Sequence, residues 1–136
     1  MRGKSRTVKP EIFSDEVLSD LERDTGLPVF RGFVGLWCFA DREGRFEWSP
    51  RALRGLILPC WEGDFGELLT ALQGAGYVVR YESGGKVYGH IPDWCALQSV
   101  HPKEAPSALP APPVGLRVIP GNPSDASLIE NCSQQE

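Results

Sequence analysis

Residues 64–91 read DFGELLTALQGAGYVVRYESGGKVYGHI, and the period of the apolar residues changes from helical to extended part-way along this stretch. In its first part Asp64 and Glu67 form a D-x-x-E pattern that resembles a helix-capping box, and Gly74 supplies a stop. Between them the apolar residues recur at the i, i+3, i+4 and i+7 spacing of one helix face: Phe65, Leu68, Leu69 and Leu72. The first part therefore predicts an amphipathic helix over 65–73.

The second part of the stretch predicts a β-hairpin. Residues 77–82 and 86–91 are two runs rich in valine and tyrosine, and Ser83-Gly84-Gly85 separates them. Two such runs joined by a short glycine loop are typical of antiparallel strands with a tight turn.

Upstream of this stretch, the sequence predicts a short strand and three further helices. Arg45-Phe46-Glu47-Trp48 indicates the strand, and Ser49-Pro50 is a cap followed by proline at the first helical position. Residues 28–41 are apolar at nearly every position, which favours a helix buried on most sides. A buried strand is the alternative for 28–41, because aromatic and β-branched residues are common there. An earlier helix begins at Ser14 as N-cap and ends at Gly26.

The order helix, short strand, helix, turn, helix, hairpin predicts an α+β fold, a winged helix-turn-helix with a three-helix core and a C-terminal β-hairpin wing. We expect a basic N-terminal arm at 1–13 and the winged-helix domain at 14–105, with 92–105 irregular. Six prolines between 106 and 123 predict a flexible tail at 106–136.

Composition excludes several classes of protein. The 136 residues carry 14 basic and 18 acidic side chains, a net charge of -4, which argues against a histone-like protein that coats nucleic acid. No apolar run reaches about 18 residues and no secretory signal begins the chain, so we expect a cytoplasmic protein with no membrane contact. The four cysteines form no CxxC pair, and neither a phosphate-binding loop nor a GxSxG motif occurs. We therefore expect no metal, no cofactor and no enzyme activity.

Several blocks of the sequence resemble a known family. They are VKPEIFSD at 8–15, GLWCFADREGR at 35–45, ALQGAGYVVRY at 71–81 and HPKEAPS at 101–107. Across roughly residues 6–110 the chain resembles the replisome organisers, or protein O-like initiators, of phages and prophages. The resemblance implies a winged-helix domain that binds phage origin DNA or a replication partner. Larger members carry a further domain that helps recruit the helicase or its loader, and we expect none here because the proline-rich tail leaves no room for it.

The charged residues indicate how such a domain meets double-stranded DNA. The third helix of the three-helix core, residues 65–73, is the one that reads the major groove in a helix-turn-helix. Its outer face carries no lysine or arginine. Phosphate contacts must then come from the arm, the middle of the chain and the wing, with base contacts from the helix. The predicted DNA-binding residues are Lys4, Arg6, Lys9, Arg42, Arg45, Arg51, Arg54, Thr70, Gln73, Arg80 and Lys86. About five phosphate contacts would give a log–log salt slope of about -4 to -5.

A protein-binding winged helix is the alternative function. It would use the acidic third-helix face at Asp64 and Glu67, or the apolar tail segment containing Leu116 and Ile119, to regulate or inhibit a host or phage replication protein. Salt-titrated binding to a DNA duplex distinguishes the two functions.

Overall fold

The computed structural model describes residues 3–113 of the chain. Within them a 3₁₀ helix at Pro10–Ser14 precedes five α-helices and three β-strands, so the predicted α+β class is confirmed. In chain order these are α1 (Glu16–Thr25), α2 (Val29–Phe39), β1 (Arg45–Glu47), α3 (Pro50–Ile57), α4 (Phe65–Gly74), β2 (Val79–Ser83), β3 (Lys86–His90) and α5 (Trp94–Leu97). No helix in 3–113 combines the length and the apolar composition that crossing a bilayer requires.

Helix α1 is capped one residue later than the sequence predicts. The carboxylate of Asp15, not the hydroxyl of Ser14, accepts the backbone N–H of Leu18 at 3.0 Å. The same carboxylate oxygen accepts the hydroxyl of Tyr77 at 2.8 Å, which joins the start of α1 to the segment after α4. A carboxylate accepts more hydrogen bonds than a hydroxyl, so Asp15 serves both donors. Gly26 ends α1 with φ 72, as predicted.

Helix α2 confirms the helical interpretation of residues 28–41, and the strand alternative is wrong. The helix lies close to its neighbours because two of its positions have no side chain. A Cβ on Gly32 would lie 2.8 Å from the Leu68 side chain, and one on Gly35 would lie 2.3 Å from that of Ile57. The two glycines thus let α4 and α3 pack directly against the backbone of α2.

Helix α4 starts as predicted and ends slightly later. The Asp64 carboxylate accepts the N–H of Gly66 at 2.8 Å and caps the first turn. Gly74 is the last helical residue rather than the stop, and the left-handed residue is Gly76, with φ 88. The apolar face of α4 lies in the hydrophobic core, as the period predicts.

The three strands form one antiparallel sheet in the order β1-β3-β2. The hairpin between β2 and β3 turns at Gly84 and Gly85, whose φ angles of 59 and 82 are those a two-residue type I′ turn requires. Phe46 of β1 lies opposite Gly89 of β3, and a Cβ on Gly89 would lie 2.2 Å from the Phe46 ring. The missing side chain on β3 makes room for this buried aromatic ring.

The two faces of the sheet are covered differently. Phe46 points into the core that the sheet shares with the helices. Tyr81 and Tyr88, one position along in the register, point to the other face and are also buried. The residues that follow β3 cover this second face, since the Tyr81 hydroxyl donates to the carbonyl of Pro110 at 2.7 Å.

The segment at 92–105 is not wholly irregular, contrary to the prediction. It contains the short helix α5, whose first residue, Trp94, is buried in the core. The indole N–H of Trp94 donates to the carbonyl of Arg42 at 2.7 Å. If this segment were exposed, the large indole ring of Trp94 would lie in water. Burial of the ring in the core therefore fixes where the chain runs after the hairpin.

Candidate nucleic-acid interface

The predicted DNA-binding residues divide into two groups in the structure. Five cations contact residues 96–109 of the same chain, and we call them the clasp: Lys4, Arg6, Lys9, Arg42 and Arg45. Five other residues lie exposed on α3, α4 and the hairpin, and we call them the open face: Arg51, Thr70, Gln73, Arg80 and Lys86. Arg54 belongs to neither group, because its guanidinium donates to the carbonyl of Trp61. The predicted cations thus divide between those that contact the chain itself and those that face solvent, and their role in DNA binding stays a prediction.

Arg6 is the centre of the clasp, and its side chain is only 5% exposed. Its two terminal nitrogens donate to the carboxylate of Glu104 at 2.7 and 2.9 Å. Its Nε donates to the carbonyl of Trp37 and its Nη2 to that of Ala40, both at 3.0 Å. The guanidinium carbon also lies 5.0 Å from the centre of the Trp94 ring. A guanidinium held on so many sides holds the fold together and is not available to a phosphate.

The two lysines of the clasp contact the same C-terminal region more loosely. Lys4 pairs with Glu104 at 3.0 Å, and Lys9 donates to the carbonyl of Ala96 at 2.9 Å. The hydrogen bonds from Arg6, together with those from Lys4, hold the pKa of Glu104 below its ordinary value. One carboxylate thus holds two cations of the predicted arm against the domain.

Arg42 and Arg45 hold the segment that follows α5. Arg42 Nη1 donates to the carbonyls of Pro102 at 3.0 Å and Glu104 at 2.9 Å, and Arg45 Nη1 donates to that of Leu109 at 3.1 Å. These bonds place the beginning of the predicted tail across the tyrosine face of the sheet. The division of the chain into arm, domain and tail stays a prediction, because residues 114–136 lie outside the described residues.

Covering this face desolvates its ionisable side chains. Burial, with a smaller contribution from the nearby Arg45 charge, lowers the pKa of His90 to about 4. Burial also raises the pKa of Tyr81 to about 12. At neutral pH both groups are uncharged, which suits a packed face beneath a hydrogen-bonded segment.

The open face presents its polar groups to solvent. Arg51 is exposed on α3, Gln73 is exposed on α4, and Lys86 is exposed where β3 begins. Thr70 is exposed on α4, and its hydroxyl donates to the carbonyl of Gly66 at 2.8 Å. Such a hydroxyl still has two lone pairs with which to accept a hydrogen bond.

A groove runs between α4 and the sheet on this side. It is open to solvent, has a volume of about 610 Å³, and is lined in part by Trp48, Glu67, Thr70 and Arg80. The Arg80 guanidinium lies 5.7 Å from the centre of the Trp48 ring, a cation–π contact that orients it beside the groove. Asp64 also lines the groove, so carboxylates and a guanidinium share it.

Of the four residues predicted for protein binding, the structure describes two. Asp64 and Glu67 are both exposed at the first turn of α4, as the sequence predicts. Leu116 and Ile119 lie outside the described residues. Within 3–113, no three histidine, cysteine, aspartate or glutamate side chains come together in a way that would hold a metal ion.

Sequence reasoning missed Glu104 and Ser107, which bind cations of the clasp, and Gln98, which binds the N-terminal arm beside them. Gln98 is buried and exchanges two hydrogen bonds with the backbone of Thr7, at 3.0 and 2.7 Å. Ser107 donates to the carboxylate of Asp41. Two of them belong to the block HPKEAPS, which contributes to the family resemblance but has no periodic pattern to indicate what its side chains contact.

Comparison with known proteins identifies no relative: no family model, no curated protein and no solved structure matches the chain.

Proposed function

We propose that the domain is a winged helix that binds double-stranded DNA in phage or prophage replication, through the open face rather than through the arm. The order of elements supports the fold assignment: α2, α3 and α4 follow one another around a core, and the β2–β3 hairpin comes next. The pairing of β1 with β3 supports it further, because it attaches the hairpin to the helical core as a wing.

One observation carries the DNA-binding proposal. The exposed cations Arg51, Arg80 and Lys86 come from the helix before α4 and the hairpin after it, whereas the clasp cations bind the chain's own carbonyls and carboxylate. A helix that enters the major groove needs phosphate contacts on both sides of it. On the open face, Arg51 comes from α3 before this helix and Arg80 from β2 after it, and Arg80 lines a groove together with Thr70 of α4.

Each residue of the open face then has a defined role. Arg51, Arg80 and Lys86 contact phosphates, and the Trp48 ring orients Arg80 for this contact. Thr70 and Gln73 face base edges from α4, where both hydroxyl and amide groups form hydrogen bonds with bases. Glu67 repels phosphates, so the helix is expected to approach the groove floor rather than the backbone. Three phosphate contacts predict a log–log salt slope of about -3, shallower than the slope of about -4 to -5 that about five contacts would give.

The test is the salt dependence of binding to a fluorescently labelled duplex of about 20 base pairs, measured by anisotropy. The double variant Arg51→Ala/Arg80→Ala is expected to reduce the slope from about -3 to about -1, because two phosphate contacts are lost. Lys4→Ala/Lys9→Ala is the matched control, since it removes the same number of charges from the clasp and should leave the slope unchanged. Equal loss of slope in both double variants would contradict the proposal.

The acidic face of α4 favours protein binding as the second candidate. Asp64 and Glu67 are exposed, and no lysine or arginine lies on α4. Such a surface repels nucleic acid and attracts a basic protein. No duplex binding even at about 50 mM salt, together with binding of an oligolysine peptide that Glu67→Gln weakens, would replace the DNA proposal with this one.

A further inference from the structure

Two large apolar side chains are exposed on the first elements of the chain. Phe13, at the end of the 3₁₀ helix, is 69% exposed, and Val17, in the first turn of α1, is 58% exposed. The Phe13 ring contacts that of Phe30 in α2, with ring centroids 5.4 Å apart. Single exposed apolar residues are common, but an exposed phenylalanine in contact with a second aromatic ring begins a patch.

A groove extends this patch. Phe30 also lines an open groove of about 490 Å³ together with Leu27, Pro28 and Trp61. Phe30 is therefore shared by the patch and the groove, and the apolar surface continues from Phe13 to Trp61. The groove volume lies in the range of pockets that hold small ligands or large side chains.

The surroundings of this surface are negatively charged. Residues 10–31 carry six carboxylates and two guanidiniums. One of the guanidiniums, Arg23, is paired with Asp20 at 2.6 Å and lies 3.9 Å from Asp24. The other, Arg31, is exposed and lines the groove itself. The negative charge therefore exceeds the positive charge around an apolar centre, and a partner that fits it is apolar in the middle and positively charged at its edges.

We propose that the surface formed by Phe13, Phe30 and the adjacent groove binds an amphipathic, positively charged segment of a partner protein. Apolar side chains of the partner pack on Phe13 and enter the groove, while its lysines and arginines face the carboxylates of α1. The surface contains none of the residues proposed to bind DNA, so this inference does not depend on that function.

The chain itself offers no segment of suitable charge for this surface. Residues 106–136 contain one arginine, Arg117, and three acids, Asp125, Glu130 and Glu136. A second copy brings a net charge of -4, and the basic side chains of its arm that the structure describes are held in its own clasp. Charge therefore favours a different protein as the occupant.

The test uses the full chain and a synthetic helical peptide of leucine and lysine, with the same peptide carrying glutamate for lysine as a charge control. The leucine–lysine peptide should bind, and Phe13→Ser should weaken it about tenfold, because an exposed aromatic anchor is removed. Leu56→Ser is the control, because it removes an apolar residue that is 39% exposed on α3. This variant should stay within about twofold of the unmodified chain.

Amide chemical shifts recorded during the titration should change mainly in the 3₁₀ helix, α1 and α2. Thermal unfolding of Phe13→Ser should match that of the unmodified chain, because the side chain is mostly exposed. No binding of the leucine–lysine peptide, equal binding of the glutamate peptide, or equal weakening by Leu56→Ser would each overturn the proposal. A dimer that is seen by sedimentation and dissociated by Phe13→Ser would also overturn the proposal, because the surface would then bind a second copy of the chain. Duplex binding should be unaffected by Phe13→Ser, which separates this outcome from failure of the DNA proposal.

Discussion

The clasp and the open face contain the same types of residue, yet they contribute to different properties of the molecule. In the clasp, Arg6 contacts a carboxylate, two carbonyls and an indole ring, and almost none of its side chain reaches water. On the open face, Arg51 and Lys86 are exposed to water, and Arg80 rests on one indole ring. Basic residues that contribute equally to the net charge therefore have two different roles. Some stabilise the fold, and others can contact a ligand.

The largest expected difference between the two regions is in stability. Arg6→Ala should lower the free energy of unfolding by about 3 kcal/mol, because it removes a buried guanidinium and leaves the partly buried Glu104 carboxylate without its bidentate partner. The measurement is urea unfolding followed by tryptophan fluorescence.

Arg51→Ala is the matched control for that variant, and it should change the free energy of unfolding by less than about 0.5 kcal/mol. If Arg6→Ala and Arg51→Ala destabilised the protein equally, the clasp would not be the stabilising element that the contacts indicate.

A smaller effect should appear as a pH dependence of stability. His90 is partly buried on the sheet face that the segment held by the clasp covers, and its pKa is about 4 when folded against an ordinary value of 6.5. As pH falls below 6.5 the unfolded chain takes up a proton that the folded chain does not, so stability should fall by about 2 kcal/mol between pH 6.5 and 4. Unfolding by urea at a series of pH values measures this loss.

His90→Gln should flatten the curve in that window, and His101→Gln, which changes an exposed histidine, should leave it unchanged. Glu104 affects stability at lower pH than His90 does. The pKa of Glu104 is depressed in the folded chain, so its contribution to stability is fully present above its ordinary pKa of 4.5. That contribution is lost as the pH falls through the lower pKa of the folded chain. If His101→Gln flattened the pH dependence of stability as much as His90→Gln does, the covered face of the sheet would not be the source of that pH dependence.

Much of the fold could be predicted from the sequence, because local patterns determine its main elements. The helical period of 65–73 and the Gly84-Gly85 turn predicted α4 and the hairpin. Helix α5 was missed because four residues are too few to show a period. The cap of α1 was misplaced by one residue because Ser14 and Asp15 are both good caps, and the hydroxyl of Tyr77, 62 positions away, is the second donor that Asp15 accepts.

The candidate interface could be predicted only in part, because its division depends on distant contacts. Glu104 lies 98 positions from Arg6, and no local pattern indicates that they meet. Arg51 and Arg80 are exposed, as their placement on an outward helix face and on the hairpin predicts, and their role in DNA binding stays a prediction. The sequence therefore identified the cations but not which of them the fold had already engaged.

The arginine Nε–H signals of the ¹⁵N-labelled full chain test the division between clasp and open face most directly. The Nε–H of Arg6, which donates to the carbonyl of Trp37, should exchange slowly with water and keep its chemical shift when duplex DNA is added. Those of Arg51 and Arg80 should exchange quickly and shift on addition of the duplex. Rapid exchange at Arg6 together with a duplex-induced shift there, and none at Arg51 and Arg80, would contradict it.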